Sequence, residues 1–327
     1  MSKLRLGLIG AGGMGTGLAR TAKDRDDVQF VAVADPAAEA LQKAVAELGG
    51  EAYASHKELL ARDDIDAVLV ATPNFAHCPV VLDAAAAGKH IFCEKPMALS
   101  VADCDAMIAA ANRAGVKLMV GQVLRLVPRF AKVREIVSSG TLGKPLGVAI
   151  ERCSLWGGRT WRSQLSLTGG ILFEMNAHEL DFMRSILGDA KTVYAAIPDV
   201  VSPGSDIPAI NWVTVHFQRG GVGMLNSHVL ATLGRFDASV LCERGMIRCD
   251  GGRVSFKARD GEEQVVPAEE LAAMPGGVPV EIGSFVGWVL RDAPPVVTAQ
   301  DGRAAVELAE AAKRSAALGQ PVSLPLR

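Results

Sequence analysis

The first 120 residues alternate between short apolar runs and longer amphipathic segments. Runs typical of buried strands lie at 3–9, 28–34, 65–71, 90–93 and 116–120. Segments typical of helices lie between them, at 16–22, 37–48, 56–60, 76–87 and 101–114. This βαβ alternation predicts a doubly wound parallel sheet, whose ligands bind at the carboxyl ends of its strands.

After residue 121 the pattern changes to apolar–polar alternation. Strand-like runs lie at 146–154, 192–198, 212–218, 223–230, 238–242, 246–249 and 254–257. Helical patterns lie at 127–138, 171–187 and 304–318. We therefore expect an α/β chain of two domains, with an α+β second domain built on a large, mainly antiparallel open sheet. The expected limits are 1–123 and 124–327, and helix 304–318 could pack on either domain.

A glycine-rich loop joins the first predicted strand to the first predicted helix. Residues 10–15 match the G-x-G-x-x-G pattern of a Rossmann dinucleotide-binding fold. There the first glycine makes a tight turn, the second lets the backbone approach a pyrophosphate, and the third allows close packing. The loop residues expected at the cofactor are Gly10, Gly12, Gly13, Met14 and Gly15.

The acid at the end of the second predicted strand indicates which dinucleotide binds. Asp35 follows Gly15 by about 20 residues, where a carboxylate accepts hydrogen bonds from the ribose hydroxyls of adenosine. A carboxylate there repels a 2′-phosphate, and Pro36, Ala37 and Ala38 offer no cation to hold one. The sequence therefore predicts NAD in preference to NADP.

Composition narrows the class of protein. Apolar residues at 49% and charged residues at 21% are typical of a globular protein, and a net charge of −2 gives no reason to expect nucleic acid as a partner. Six cysteines without metal-binding spacing indicate reduced thiols. We find no signal peptide and no apolar run of the ~18 residues that a membrane span needs. We expect a cytoplasmic protein without a membrane partner.

Several motifs resemble the glucose–fructose oxidoreductase/inositol dehydrogenase/MocA family of oxidoreductases. They occur in the family's order over nearly the whole chain. They are Ala71-Thr72-Pro73-Asn74, His77, Ala87-Gly88-Lys89-His90, Glu94-Lys95-Pro96, Gly121-Gln122-Val123-Leu124-Arg125, 139–145, Thr168-Gly169-Gly170, His178 with Asp181, and 311–322. The resemblance implies a homodimer or homotetramer that associates through the open sheet of the second domain.

The predicted helix 171–187 carries a narrow polar stripe that includes Glu174, His178 and Asp181. The pattern alone fits either an exposed Glu174–His178 ion pair or a functional cluster. The family resemblance implies that His178 is the base near the hydroxyl being oxidised, with a carboxylate one turn earlier to position it. Glu174 departs from the more common aspartate, so it either orients His178 or binds substrate.

Lys95 is the third expected catalytic residue, because it follows a strand at its carboxyl end. From there its ammonium group could stabilise the developing negative charge on the substrate oxygen. The resemblance implies an unusual peptide bond before Pro96, although X–Pro bonds are usually trans. Lys95 is also expected at the cofactor, together with Thr72, Pro73, Asn74, His77 and Glu94.

A further set of side chains could line a sugar site through aromatic stacking or hydrogen bonding. This set comprises Gln122, Arg125, Trp156, Arg159, Trp161, Arg162, Asn176 and Asp181. Alternatively, Trp161 belongs to the core and Arg159 and Arg162 are solvated. The remaining histidines form no ligand spacing, so we expect no metal.

The expected function is NAD-dependent transfer of hydride between the nicotinamide and a secondary alcohol of a sugar, inositol or related polyol. Two alternatives remain open. A glycoside-cleaving enzyme of the same fold would use the same residues and reoxidise its own NADH. A non-catalytic NAD or sugar sensor would not need both Lys95 and His178.

Overall fold

The computed structural model describes residues 3–157 and 160–326. The chain forms two compact units. Unit 1 comprises residues 1–122 and 278–306, and unit 2 comprises residues 123–277 and 307–327. Arg159, which the sequence proposes for the substrate site, lies outside the described residues.

Strands and helices take the following bounds. The strands are β1 (Leu4–Ile9), β2 (Val28–Ala34), β3 (Glu51–Tyr53), β4 (Ala67–Val70), β5 (His90–Glu94), β6 (Leu118–Gly121), β7 (Pro145–Leu155), β8 (Ala190–Ala196), β9 (Ile210–Phe217), β10 (Val222–His228), β11 (Leu230–Cys242), β12 (Gly245–Asp250), β13 (Arg253–Ala258), β14 (Gln264–Val265) and β15 (Val322–Ser323). The helices are α1 (Gly13–Lys23), α2 (Ala38–Leu48), α3 (His56–Leu60), α4 (His77–Ala86), α5 (Val101–Ala114), α6 (Pro128–Ser138), α7 (Leu165–Thr168), α8 (Ile171–Glu174), α9 (Ala177–Leu187), α10 (Ala268–Ala273), α11 (Gly277–Arg291) and α12 (Ala299–Leu318). Short 3-10 helices span Asn74–Ala76, Val123–Leu126 and Thr160–Ser163.

Unit 1 contains a parallel sheet, which confirms the predicted doubly wound fold. Over the described residues the strand order is β3-β2-β1-β4-β5-β6, and every pairing is parallel. All four residues of β4 are buried, as expected for a strand covered on both faces. This order puts the ends of β1, β4 and β5 side by side at one edge of the sheet.

Residues 278–306 group with unit 1, although the sequence assigned them to the second domain. The apolar side chains Ile282, Phe285 and Val286 of α11 are buried in the core of the parallel sheet. Phe285 meets Phe92 of β5 edge to face, with ring centroids 5.8 Å apart. Helix α12 contributes residues to both units.

The stretch 268–291 is long and apolar enough to cross a membrane by length and composition alone, a feature that the sequence inspection did not identify. Such a helix is weak evidence for a membrane span, since core helices of globular proteins meet the same criterion. The buried side of α11 accounts for part of its apolar character.

Unit 2 contains a mixed sheet in which most neighbouring strands are antiparallel, as predicted. Over the described residues its order is β14-β13-β12-β11-β7-β10-β9-β8-β15, and the β7–β10 pair is parallel. Alternate residues of β8, β9 and β10 are buried, so one face of the sheet is packed and the other is open. The open face carries Tyr194, Trp212, Met224 and Leu241, which are 43–57% exposed.

The predicted helix 171–187 is divided into two. Helix α8 ends at Glu174 and α9 begins at Ala177, with Met175 and Asn176 between them. The Asn176 amide donates to the carbonyl of Ile171, a wider turn than that of an α-helix. Glu174 and His178 therefore belong to different helices, and the single helical wheel assumed from the sequence is wrong here.

Candidate active site

The glycine loop between β1 and α1 leaves open space where a cofactor phosphate would lie. A Cβ atom added to Gly12 or Gly13 would meet nothing within 4 Å. At Gly15 it would lie 2.0 Å from the Gly10 carbonyl oxygen. Gly10 has φ +100°, and a Cβ there would lie 2.5 Å from the Ala71 oxygen. The loop thus needs glycine at Gly10 and Gly15 for turning and packing, and is open at Gly12 and Gly13.

The start of α1 completes this cradle. Gly12 is its N-cap, so no side chain caps the first turn, which also lacks acidic residues. An α-helix presents unpaired amides and a partial positive charge at this end, which suits a diphosphate. Met14 is 55% exposed beside it. The glycine loop and the start of α1 therefore have the features that a dinucleotide site needs.

Asp35 fixes the conformation of the glycine loop. Its Oδ2 accepts from the Ala11 amide at 2.7 Å, and its Oδ1 accepts from the Ala37 amide at 2.8 Å. A carboxylate has about four acceptor sites, so Asp35 retains capacity for ribose hydroxyls. Asp35 therefore has a structural role in addition to the predicted one.

A cleft of about 530 Å³ adjoins the glycine loop and extends between α1 and α2. Two cations line it, and each is paired with a carboxylate: Arg20 with Glu47, and Lys43 with Glu39. The prediction from the sequence searched only positions 36–38 for a cation that could hold a 2′-phosphate. Both pairs are exposed, and these two cations are the ones nearest to the glycine loop along this cleft.

The loop after β4 carries Thr72, Pro73 and Asn74. Asn74 is 4% exposed and begins a 3-10 helix, and neither that helix nor α4 has a side-chain N-cap. The Thr72 hydroxyl is buried without a hydrogen-bond partner among the described residues. Phe75 in the same loop is 47% exposed, and it was not among the predicted site residues. Its position after the carboxyl end of a parallel strand is the feature of the sequence that could have identified it as a site residue.

The loop after β5 carries Glu94 and Lys95. Glu94 is 8% exposed, and its Oε2 accepts from the Lys95 amide at 3.0 Å. Lys95 is half-buried, and its peptide bond to Pro96 is cis. The sheet order places Lys95 at the same edge as the glycine loop, with the end of β4 between them.

His77 was predicted to lie at the cofactor, but backbone oxygens face both of its ring nitrogens. It is 1% exposed. Its Nδ1 lies 2.7 Å from the Pro96 carbonyl oxygen, and its Nε2 lies 2.9 Å from the Thr72 oxygen. Both nitrogens are therefore engaged by the two loops.

In unit 2, Glu174 forms an ion pair with Arg162. The distance from Arg162 Nη2 to Glu174 Oε1 is 2.6 Å, and the side chains are 52% and 4% exposed respectively. The exposed position of Glu174 that one interpretation of the sequence assumed is therefore wrong, because Glu174 is buried. His178, one residue into α9, is half-buried and lies between the buried residues Ala177 and Glu179.

Arg125 and Asp181 form a buried bidentate ion pair. Arg125 Nε and Nη2 each donate to an Asp181 oxygen at 2.6 Å. Their side chains are 7% and 0% exposed. Both residues were expected to contact substrate. In the structure, two of the guanidinium nitrogens and both carboxylate oxygens are engaged in this ion pair.

Asn176 and Glu179 form a cluster that the sequence did not predict. Asn176 is fully buried, and its Nδ2 donates to Glu179 Oε2 at 3.1 Å. Glu179 is also fully buried, with Arg152 Nη1 3.4 Å from its Oε1. Glu174, Glu179 and Asp181 thus each face an arginine from another element. The pair that includes Arg152 was not apparent because it spans 27 residues of sequence.

The remaining predicted substrate residues differ in exposure. Gln122 is 1% exposed. Trp156 packs against the apolar cluster that contains Ile171 and Val229, and its Nε1 is buried without a hydrogen-bond partner among the described residues. Trp161 is half-buried, with the Arg162 guanidinium 5.6 Å from its ring centroid.

Among the described residues, no group of three or more His, Cys, Asp or Glu side chains is arranged to hold a metal ion. The absence of a metal from the reaction stays a prediction. The six cysteines are free, and five of them are buried.

Comparisons with known proteins identify the family. Residues 4–122 match the model described as "Oxidoreductase family, NAD-binding Rossmann fold", and residues 130–248 match the GFO/IDH/MocA C-terminal domain. The chain therefore belongs to the GFO/IDH/MocA oxidoreductase family, with NAD as its cofactor, as the sequence predicts.

Individual relatives cover almost the whole chain. The myo-inositol 2-dehydrogenase of Thermotoga maritima is 31% identical over 95% of this chain and 96% of its own length. A crystal structure of a probable dehydrogenase from Thermotoga maritima is 30% identical, with TM-score 0.84 over 98% of this chain and 99% of that one. The WlbA dehydrogenase of Bordetella pertussis, solved with NADH and UDP-GlcNAcA, is 25% identical, with TM-score 0.88 over 99% and 100%.

Proposed function

We propose that this oxidoreductase is an NAD-dependent dehydrogenase for a secondary alcohol of a sugar, inositol or related polyol. The position of Lys95 carries the proposal. It is half-buried at the carboxyl end of β5, at the same sheet edge as the open cradle of Gly12 and Gly13. Relatives that are named as inositol dehydrogenases support the substrate class.

Each proposed catalytic residue has a separate task. When NAD is bound, its nicotinamide would supply the hydride acceptor. His178 accepts the hydroxyl proton, and Lys95 donates a hydrogen bond to the same oxygen and stabilises its developing negative charge. Glu174 is paired with Arg162 at 2.6 Å, and it orients His178 or binds a neighbouring hydroxyl. Asp35 and the glycine loop hold the adenosine end.

The experiment is an assay of NADH formation with NAD and a panel of inositols, aldoses, uronic acids and glycosides. A polyol or sugar that yields stoichiometric NADH supports the proposal. Cleavage of a glycoside without net NADH would instead identify a redox-neutral hydrolase. NAD binding without turnover of any substrate would favour a sensor.

We also propose that the enzyme is a homodimer or homotetramer that associates through the open face of the unit 2 sheet. A groove of about 750 Å³ on this sheet is lined in part by Tyr194, Trp212 and Met224. Large exposed apolar side chains on one sheet face are typical of a protein interface. Light scattering should give a multiple of 34.3 kDa, and Trp212→Asp should lower the mass. Leu318→Asp, which alters an exposed apolar residue at the end of α12, should not.

We place the enzyme in the cytoplasm, where buried free thiols stay reduced. We propose no nucleic-acid or membrane partner, given the net charge of −2.

A further inference from the structure

The environment of His77 departs from that of a neutral histidine. Both of its ring nitrogens lie at hydrogen-bond distance from backbone carbonyl oxygens, at 2.7 Å and 2.9 Å, in a side chain that is 1% exposed. A carbonyl oxygen can only accept, so each contact needs an N–H group. A neutral imidazole has one N–H, and only the imidazolium has two.

Each alternative loses at least one of the two contacts. A neutral ring would point one nitrogen lone pair at a carbonyl oxygen inside the protein, where an unsatisfied polar contact is costly. A ring turned by 180° would put carbon atoms opposite both oxygens and lose both bonds. The doubly protonated ring makes two charge-assisted hydrogen bonds, which are stronger than neutral ones.

The two carbonyls belong to the two loops that carry the proposed chemistry. Thr72 follows β4, and Pro96 follows Lys95 at the end of β5. On the other side, the Lys95 amide is held by the Glu94 carboxylate. The backbone of Lys95 is thus fixed before and after the residue, which matters because small displacements of a catalytic group reduce the rate strongly.

We propose that His77 is an imidazolium that ties the loop after β4 to the loop after β5 and thereby positions Lys95. His77 is a positioning residue, and it does not contact the substrate. Its effect on the rate rests on the proposed dehydrogenase function, whereas its protonation state does not.

Charged and titratable side chains on the elements around α4 bear on this state. They are His56, Lys57 and Glu58 on α3; Cys78 and Asp83 on α4; His90, Cys93 and Glu94 on β5, with Lys95 after it; and Asp103, Cys104, Asp105 and Arg113 on α5. Burial raises the pKa of the Cys78 thiol to about 11, and burial likewise raises the pKa of Cys93 and Cys104. These thiols therefore stay neutral. Glu94 and Asp103 are acids that favour a cation, whereas the ammonium group of Lys95, one residue before Pro96, opposes one, and Asp105 is paired with Arg303 at 2.6 Å.

The decisive measurement is nitrogen NMR of the wild-type protein labelled with ¹⁵N-histidine, at about pH 8, above the usual histidine pKa. Of six histidines, the His77 signals are those lost in His77→Gln. If that variant fails to fold, variants of the other five assign them by elimination. We expect both His77 ring nitrogens to carry protons. One unprotonated ring nitrogen would overturn the proposal.

A second measurement tests positioning. His77→Gln should lower kcat about tenfold or more, while the Kd for NAD changes by less than about threefold. His56→Gln is the matched control, because His56 also bonds to α4, through Asp83 at 2.8 Å, and Asp83 belongs to neither loop. An unchanged kcat in His77→Gln would refute the positioning role. If the wild type oxidises no substrate, the proposed function fails, and the NMR result still decides the charge of His77.

Discussion

Arg162 and Glu174 form an ion pair 2.6 Å long, between a short 3-10 helix and the end of α8. The carboxylate is almost entirely buried and the guanidinium is half exposed. Because a buried carboxylate is costly without a partner, the pair with Arg162 offsets part of the cost of burying Glu174.

A double-mutant cycle tests this pair. Arg162→Ala and Glu174→Gln should each lower kcat/KM, and the double variant should be little worse than Glu174→Gln alone. The expected coupling is about 1 kcal/mol, since residues in direct contact are not additive. Independent, additive losses would mean that the two side chains act separately.

Asp181→Asn should destabilise the protein by about 3–5 kcal/mol in urea unfolding, because it removes the negative charge that faces the buried Arg125 guanidinium. The control is Asp64→Asn, which breaks a surface pair with Arg62 of the same 2.6 Å length. That substitution should have little effect, since exposed ion pairs contribute little. Equal losses in the two variants would show that burial is not the cause.

Asp35→Asn should weaken the preference for NAD over NADP by about tenfold or more, because it removes a negative charge that opposes a 2′-phosphate. The ratio of kcat/KM values for the two cofactors measures this. Asp26→Asn, an exposed acid between α1 and β2, is the control. If the ratio of kcat/KM for NAD and NADP does not change, Asp35 only fixes the conformation of the glycine loop and does not select the cofactor.

The thiols should respond slowly to alkylation. Burial raises the pKa of Cys78 from 9.0 to about 11, so at about pH 8 only about 0.1% of it is thiolate. Since the folded pKa is the higher one, the contribution of Cys78 to stability is complete below about pH 9 and is lost as the pH rises to about 11. Rapid labelling of Cys78 in the native protein at pH 8 would contradict this.

The sequence predicts the sheet of unit 1 well because glycine spacing and buried strands are local signals. It misses α11, since Gly283, Gly287 and Pro279 lower the helix propensity of that segment. It also misses the break at Met175 and Asn176, because apolar and polar residues keep helical spacing across it.

Among the site residues, too, those with a local sequence signal were predicted and those without one were not. The glycine loop and Asp35 are recognisable from spacing alone, and the geometry of the loop fits a dinucleotide. The partners of Glu174, Glu179 and Asp181 could not be predicted, because each arginine comes from a different element. The same holds for His77, whose two carbonyl partners are set by the adjoining ends of β4 and β5.

The most direct test of the central claim compares NADH formation by the wild type, Lys95→Ala and Lys57→Ala across the sugar and polyol panel. The account predicts that Lys95→Ala loses about 10²–10³-fold in kcat and keeps its Kd for NAD, because the lost group acts on the reacting oxygen. Lys57→Ala, an exposed lysine on α3, should match the wild type. Turnover by Lys95→Ala at the wild-type rate would contradict the account.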